Sequence, residues 1–155
     1  MMITKVLNYL IKNKITVATA ESCTAGLIAA RIGDMSGVSE IFSEGFVTYS
    51  NDAKEKNLGV PHILLENYGA VSPEVAQAMA EGVCKKTGAA LGLSATGIAG
   101  PTGGTKDKPV GLVYMGICYN GNTTVIKRVF KGSRSEVRKQ TVETVFSEVK
   151  KILQI

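Results

Sequence analysis

The chain alternates short apolar runs with segments of helical periodicity. The runs "ITVATA", "IFSEGFVTYS" and "AALGLSAT" are short and rich in β-branched or alternating apolar residues, which predicts strands. The segments "TAGLIAARIG", beginning at Thr24, and "SPEVAQAMAEGVCKKTG" predict helices that end at Gly33 and Gly88. Because strands and helices that alternate in this way bury their apolar faces by packing in layers, we expect an α/β fold.

A hairpin signal lies in the second half of the chain. The segments "LVYMGICYN" and "TTVIKRVFK" flank Asn120-Gly121-Asn122, and Asn-Gly is typical of a tight turn between antiparallel strands. A length of 155 residues suits one domain with a sizeable core. We therefore predict a single domain over residues 1–155, a three-layer α/β/α sandwich with a mixed sheet.

Several predicted helices carry signals at their ends. Asn51 is a candidate cap for the helix "DAKEKNLG", and Ser72 followed by Pro73 begins the long middle helix. Ser133 and Glu136 form a capping box for the last helix. The apolar residues of the first and last helices recur at helical spacing and predict buried stripes, namely Ile3, Val6, Leu7, Leu10 and Ile11 in the first, and Val137, Val142, Val145, Phe146, Val149 and Leu153 in the last.

The composition excludes several classes of protein. Apolar stretches stay well below the ~20 residues that span a bilayer, and Lys12 and Lys14 interrupt the apolar start, so we expect a cytoplasmic protein without a signal peptide. Cys23, Cys84 and Cys118 are odd in number and form no C-x-x-C pair. This spacing favours neither a disulfide framework nor a zinc site.

The net charge of +5, with a pI near 9.1, favours anionic partners. The 18 Lys and Arg residues are scattered, however, and form no block. Proteins that bind nucleic acid stack bases on aromatic side chains, whereas this chain has no Trp and 6% aromatic residues. Nucleic acid is therefore not the expected partner.

The segment "TAESCTAG" is the first candidate site. Ser22 stands between a predicted strand and a predicted helix, where the N–H groups of the helix N-terminus can receive an oxyanion. The alternative is that Ser22 or Thr24 only caps that helix. Cys23 is a rival nucleophile whose one available histidine partner is His62. Nothing in the segment gives Glu21 a role.

The segment "FVTYSNDAK" is the second candidate site. It places Tyr49, Ser50, Asn51 and Lys54 at the end of a predicted strand and on the first turn of a helix, where open α/β sheets form ligand crevices. Lysine replaces histidine as the base in some serine enzymes when burial lowers its pKa. The alternative is a solvated lysine, because lysine is seldom buried.

The third candidate is the loop "TGIAGPTGGTKDKPVG", which holds Gly97, Gly100, Pro101, Gly103 and Gly104. Its glycines allow backbone N–H groups to approach a phosphate or a sugar. The loop lacks the Gly-Lys-Ser/Thr of a Walker A motif, and it leads into a strand where a dinucleotide fingerprint leads into a helix. A flexible connection is the alternative, although a loop this long inside a compact domain is usually functional.

Four segments together carry a family resemblance. "TAESCTAG", "GFVTYSNDAK", "GAVSPEVA" and "SATGIAGPTGG" with "KPVG" resemble, from about Val6 to Val149, the C-terminal domain of the competence/damage-inducible protein CinA and the stand-alone, PncC-like nicotinamide-nucleotide amidases. The resemblance implies hydrolysis of nicotinamide mononucleotide to nicotinate mononucleotide and ammonia, without a cofactor or a metal ion. Longer members of the family carry a further N-terminal domain, whose activity we expect to be absent here.

The resemblance also implies roles for individual residues. The catalytic serine, lysine and tyrosine of the family correspond to Ser22, Lys54 and Tyr49. "FKGSR" is similar to the Phe-x-Gly-x-Arg pattern of the family, which makes Arg134 a candidate for phosphate binding. The substrate-binding residues implied are Cys23, Thr24, Thr96, Gly97, Gly100, Pro101, Gly103, Gly104 and Arg134. Two departures are Ala25, where glycine is common, and Ser133, where an acidic residue is common.

These assignments lead to a Ser-Lys hypothesis. Neutral Lys54 takes the proton of Ser22, and N–H groups of the helix that begins at Thr24 stabilise the oxyanion. Tyr49 relays a proton or orients Lys54. For Lys54 to be neutral near pH 7, its pKa must fall from ~10.4 to near 7, which costs ~4 kcal/mol and requires burial or a nearby positive charge.

Two other functions stay open at this point. One is a non-catalytic nucleotide-binding or interaction domain, since a fold can outlive its chemistry. The other is an amidase for a different pyridine or purine nucleotide. The family also suggests a homodimer, with a small mononucleotide as the other partner.

Overall fold

The computed structural model describes all 155 residues, and its centre is one five-stranded mixed sheet. The strands are β1 (Val17–Glu21), β2 (Phe42–Val47), β3 (Leu91–Gly97), β4 (Leu112–Tyr119) and β5 (Asn122–Val129), arranged in the order β2-β1-β3-β4-β5. β1 pairs in parallel with β2 and β3, whereas β4 and β5 add antiparallel strands. The mixed sheet predicted from the sequence is confirmed.

Helices cover both faces of this sheet. They are α1 (Met2–Lys12), α2 (Leu27–Gly33), α3 (Asn51–Leu58), α4 (His62–Tyr68), α5 (Pro73–Thr87) and α6 (Arg134–Leu153), with a short 3-10 helix at Val38–Glu40. On one face α1, α2 and α6 enclose the larger apolar core, which contains Phe146 and Met115. On the other face α3, α4 and α5 enclose a smaller core around Met79 and Leu58. The three-layer α/β/α sandwich is thereby confirmed.

The hairpin and the last helix follow the predicted local rules. Asn120 and Gly121 both have positive φ, 50° and 80°, as a two-residue turn between antiparallel strands requires. Asn122 already belongs to β5, opposite Tyr119. The Ser133 hydroxyl accepts the Glu136 N–H at 3.2 Å and donates to its carboxylate at 3.1 Å, so Ser133 caps α6 as predicted, while the Glu136 carboxylate binds the Ser133 hydroxyl and not its backbone N–H.

Two predicted helix starts are wrong. α2 begins at Leu27 and not at Thr24, because Ala25 and Gly26 have φ of +48° and +94° and form a turn. α3 is capped by Ser50 and not by Asn51, because the Ser50 hydroxyl accepts the N–H of Ala53 at 3.0 Å. Both errors fall directly after a strand, where the chain reverses before its helix begins.

The other predicted helix signals agree with the structure. Ser72 caps α5, Pro73 begins it and Gly88 ends it in the left-handed conformation. The register of β2 against β1 shifts between Phe42 and Gly45, which fits the bulge expected near Gly45. No helix combines the length and the apolar composition that crossing a bilayer requires.

Candidate active site

Ser22 lies at the carboxyl end of β1, between the two strands that run parallel to it. Its N–H donates to the Ala95 carbonyl of β3 at 2.9 Å, and the Thr48 N–H after β2 donates to the Glu21 carbonyl at 2.8 Å. These bonds bring the ends of all three parallel strands together. In open α/β sheets the crevice at this edge, beside the strand where the order reverses, is where ligands bind.

Lys54 reaches this point from the first turns of α3. Side chains of a helix point toward its N-terminus, so the Lys54 side chain runs back under the loop that precedes α3. Its Nζ lies 3.1 Å from Ser22 Oγ and donates to the carbonyls of Thr48 at 2.9 Å and Tyr49 at 3.4 Å. Lys54 is 1% exposed and Ser22 is 9% exposed, so the pair is buried.

Burial lowers the pKa of Lys54 from its ordinary value, because water no longer solvates the charged ammonium. Nζ is the donor to three oxygen atoms, those of the Ser22 hydroxyl and of the Thr48 and Tyr49 carbonyls. Loss of one proton from Nζ would leave a lone pair that can accept the hydroxyl hydrogen of Ser22. The arrangement is that of a serine with an adjacent general base.

The turn from Ser22 to Gly26 differs from the helix that the sequence predicts. Since α2 begins at Leu27, the first N–H groups of this helix are not free for an oxyanion: those of Ile28 and Ala29 donate to the Glu21 carboxylate at 2.8 and 3.0 Å. The turn itself contains three N–H groups without a protein acceptor, those of Cys23, Thr24 and Gly26. Donors for an oxyanion are therefore available before the helix.

Thr24 does not cap α2 as the sequence suggests. Its hydroxyl is buried and has no hydrogen-bond partner, while the Glu21 carboxylate occupies the first N–H groups of the helix. The Thr24 N–H remains unpaired beside the nucleophile. Any contribution of Thr24 to substrate binding thus comes from its backbone.

Cys23 and His62 do not form a nucleophile and base pair. Burial raises the pKa of the Cys23 thiol to about 12, so the reactive thiolate is disfavoured. His62 begins α4, and its Nδ1 lies 2.6 Å from a Glu55 carboxylate oxygen. That hydrogen bond raises the pKa of His62 and commits its ring to Glu55. Cys23 is therefore a buried neighbour of Ser22.

Tyr49 and Arg134 meet through their side chains. The Arg134 guanidinium donates to the Tyr49 hydroxyl at 2.8 Å and to the Gly100 carbonyl at 2.9 Å. The Tyr49 side chain is directed to Arg134, since only its backbone carbonyl contacts Lys54. Tyr49 is 57% exposed, in contrast to the buried Ser22 and Lys54. The predicted phosphate-binding arginine thus joins the segment after β2 to the segment after β3.

The glycine-rich loop follows β3 and so begins at the same edge of the sheet as Ser22. Thr96 is buried, and its hydroxyl donates to the Ala70 carbonyl at 2.8 Å, so it anchors the base of the loop. Gly100 has φ +82° and a side chain there would overlap Val110, which explains the glycine. Gly97 ends β3. Exposed Pro101, Gly103 and Gly104 form the tip.

Sequence reasoning missed two residues at this site. Glu21, which had no assigned role, binds the start of α2. Arg138 of α6 donates from Nε to the Cys23 carbonyl at 3.1 Å and from a terminal nitrogen to the Thr24 carbonyl at 2.8 Å. Its signal in the sequence is its position four residues after Arg134, which places both arginines on one face of α6.

No three His, Cys, Asp or Glu side chains gather where they could hold a metal ion. The largest cavity, about 840 Å³, lies between α5 and the segment formed by α3 and α4; Leu58, Leu64 and Lys85 are among its lining residues. Its lining shares no residue with the cluster of Ser22, Lys54 and Arg134.

Known proteins resemble this chain in sequence and in structure. A competence-damage inducible protein of Clostridium acetobutylicum is 51% identical over 142 residues, which cover 92% of this chain and 34% of that protein. The crystal structure of the competence/damage inducible protein CihA from Agrobacterium tumefaciens matches with 39% identity and a TM-score of 0.91, covering 96% of this chain and 91% of the other.

A CinA superfamily protein from Klebsiella pneumoniae matches with 30% identity and a TM-score of 0.95, over 99% of this chain and 96% of that one. The chain spans about a third of the length of the curated relatives it matches. The sequence model of the CinA C-terminal domain matches residues 1–153. The chain belongs to the CinA C-terminal domain family.

Proposed function

We propose that this protein is a Ser-Lys amidohydrolase that converts nicotinamide mononucleotide into nicotinate mononucleotide and ammonia. The observation that carries the proposal is the buried contact of 3.1 Å between Lys54 Nζ and Ser22 Oγ. A surface lysine that only donated a hydrogen bond to a serine would need neither burial nor two further carbonyl partners. The choice of substrate rests on the family resemblance, and the choice of chemistry rests on this pair.

In the first step Ser22 Oγ attacks the carboxamide carbon while its proton passes to the Lys54 amine. Lowering of the Lys54 pKa by burial supports this role, because the base must be neutral to accept a proton. The Cys23 and Thr24 N–H groups, which lack protein acceptors, then receive the negative charge on the substrate oxygen. This assignment replaces the α2 N-terminus that the sequence suggested.

In the second step the tetrahedral intermediate collapses. The C–N bond breaks, Lys54 returns its proton to the leaving nitrogen, and ammonia departs from an ester on Ser22. Water then attacks the ester, with Lys54 again taking a proton, and the carboxylate product leaves as Ser22 regains its hydrogen. One amide and one water thus give one carboxylic acid and one ammonia.

Arg134 is the proposed contact for the substrate phosphate. Its guanidinium already bridges the Tyr49 hydroxyl and the Gly100 carbonyl, so it joins the two segments that flank the pair. Guanidinium groups bind phosphate through two parallel hydrogen bonds. The exposed glycines at 103 and 104 leave backbone room for the ribose and the phosphate.

A substrate panel tests the proposal. Ammonia release is measured for nicotinamide mononucleotide, nicotinamide riboside and free nicotinamide, with Ser22→Ala as the blank for each. We expect kcat/KM to be highest for the mononucleotide and to fall at least tenfold when the phosphate is absent, because a charged hydrogen bond contributes ~1.5–3 kcal/mol. A faster reaction with free nicotinamide would overturn the nucleotide assignment.

The non-catalytic alternative has its own signature. Calorimetry would then show binding of the mononucleotide without any ammonia or nicotinate mononucleotide formed. Preference for the amide of another nucleotide would keep the Ser-Lys chemistry and change only the substrate. The panel and the titration together therefore separate a wrong substrate from a wrong reaction.

A further inference from the structure

Glu21 is a buried carboxylate that the proposed chemistry does not use. It is 0% exposed and lies directly before Ser22. No lysine, arginine or histidine forms an ion pair with it; the four ion pairs of the structure involve other residues. A carboxylate without a cationic partner is costly to bury unless hydrogen bonds compensate it.

Both carboxylate oxygens of Glu21 have a donor. One accepts the Ile28 N–H at 2.8 Å and the other accepts the Ala29 N–H at 3.0 Å. These are first-turn donors of α2, which no carbonyl of the helix can satisfy. The contact joins two residues that are seven positions apart. It thereby closes a ring that contains the Ser22 turn.

The backbone of Glu21 also connects with the segment that holds Lys54. The Glu21 carbonyl accepts the Thr48 N–H at 2.8 Å, and the Thr48 carbonyl accepts a hydrogen bond from Lys54 at 2.9 Å. One residue therefore contacts the start of α2 through its side chain and the loop before α3 through its backbone. Ser22 follows it directly in the chain.

The turn that binds the Glu21 carboxylate at one end also binds a cation, the Arg138 guanidinium. It donates to the Cys23 and Thr24 carbonyls, while Glu21 accepts from the N–H groups that follow the turn. In a trans peptide the N–H points away from the C=O, so the Thr24 N–H points away from Arg138. The contact of Arg138 with the Cys23 carbonyl therefore fixes the direction of the unpaired Thr24 N–H.

We propose that Glu21 is a positioning residue, which fixes the Ser22 turn by binding the start of α2 and excludes the substrate oxyanion from that helix end. The proposal rests on Ser22 being the nucleophile, as proposed above. Negative charge at the N-terminus of α2 repels a second anion, so the oxyanion must bind within the turn. Small displacements of a nucleophile reduce rates strongly, which gives such a residue a measurable effect.

The test compares Glu21→Gln with Glu44→Gln, an exposed glutamate on the neighbouring strand β2. A glutamine side chain keeps one acceptor oxygen but presents its NH2 group to the second N–H of α2, which cannot accept it. The probe is an alkyl fluorophosphonate: Ser22 Oγ bonds to phosphorus, the P–F bond breaks, fluoride leaves and the serine proton passes to Lys54. Peptide mass spectrometry follows labelling of Ser22.

We expect Ser22 to be labelled at equal rates in the wild type and Glu44→Gln, and at least tenfold more slowly in folded Glu21→Gln. Equal labelling of Glu21→Gln and the wild type would overturn the positioning role while leaving Ser22 as the nucleophile. If Ser22 of the wild type does not react, the assignment of Ser22 as the nucleophile would be overturned, and the positioning role of Glu21 with it.

Glu21→Asp keeps the charge, and its milder change guards against misfolding of the glutamine variant. Its carboxylate is shorter by one methylene and cannot reach both N–H groups without moving the turn, so we expect an intermediate labelling rate. Ammonia release adds a second readout: kcat should fall in both variants while KM changes less than threefold. A merely structural role would lower only the fraction of active protein and leave the rate per folded molecule unchanged.

Discussion

The turn after β1 and the loop after β3 both follow the carboxyl end of a parallel strand, yet they are built in opposite ways. Glu21, Ser22 and Thr24 are buried and held by hydrogen bonds from β3, α2 and α6. The loop from Pro101 to Asp107 is exposed, and its firm attachments are at its ends. The difference suggests that the chemistry is fixed in the buried turn and that recognition occurs in the exposed loop.

The largest effect should come from removing the buried base. Lys54→Met should lower kcat about 10³-fold with little change in KM, because a general base contributes ~10²–10⁴ in rate and the hydrogen bonds of Lys54 go to Ser22, Thr48 and Tyr49, and not to the exposed loop. Steady-state ammonia release measures both constants. Lys56→Met, an exposed lysine on the same helix, is the matched control. If Lys54→Met kept wild-type turnover, the assignment of the chemistry to the buried region and of recognition to the exposed loop would be wrong.

A smaller effect should appear in the exposed region. Arg134→Gln should raise KM for the mononucleotide about 10-fold to 100-fold while kcat stays within a few-fold, because the lost charged hydrogen bond contributes ~1.5–3 kcal/mol to binding. Arg128→Gln is the control, since Arg128 is exposed and pairs with Glu148 on the outer surface. A fall in kcat with constant KM would instead assign Arg134 to the chemical step.

The pH dependence of stability should also separate Lys54 from an exposed lysine. Burial lowers the pKa of Lys54 in the folded state, so the folded protein loses this proton at a lower pH than the unfolded chain does. Below the folded pKa both states are protonated and the burial penalty is fully present. As pH rises from the folded pKa to the ordinary value of 10.5, the wild type gains stability.

The free energy of unfolding of Lys54→Met lacks this gain. Urea unfolding at pH 6 and pH 10 should therefore show the free energy of unfolding of the wild type rising relative to that of the variant at the higher pH. The Lys56→Met control should show no such shift. A difference that is independent of pH would mean that Lys54 is solvated.

The smallest effect concerns the thiol beside the nucleophile. Burial raises the pKa of Cys23 to about 12, so iodoacetamide at pH 8 should leave this thiol unmodified and turnover intact. Peptide mass spectrometry after alkylation identifies modified cysteines, and the ammonia assay measures the remaining activity. Rapid modification of Cys23 with parallel loss of activity would make the thiol the nucleophile.

Most of the fold could be predicted from local patterns. The strands and long helices carry apolar periodicity, and the caps at Ser72 and Ser133 lie within three residues of the N–H groups they bind. The start of α2 could not be predicted in this way. The residues of "TAG" are tolerated in a helix, and only tertiary contacts determine that they form a turn. Ala25, which adopts φ +48°, shows most clearly that tertiary contacts outweigh the local preference for a helix.

The candidate site divides in the same way. Ser22 directly follows β1, and Lys54 lies on the helix that follows β2. They meet because parallel strands end at one edge of the sheet. The contacts of Arg138 with Cys23 and Thr24 span 115 and 114 residues, so its spacing from Arg134 indicates the helix face but not these partners. Glu21 binds amides that are free because α2 begins late. Its role therefore follows from the turn that local patterns did not predict.

The most direct test of the Ser-Lys account is ammonia release from nicotinamide mononucleotide by Ser22→Ala, compared with the wild type at equal folded concentration. The account predicts continuous release by the wild type and a loss of at least 10³-fold in the variant, with mononucleotide binding retained by calorimetry. Turnover by Ser22→Ala within tenfold of the wild type would contradict the account, because the proposed nucleophile would then be dispensable.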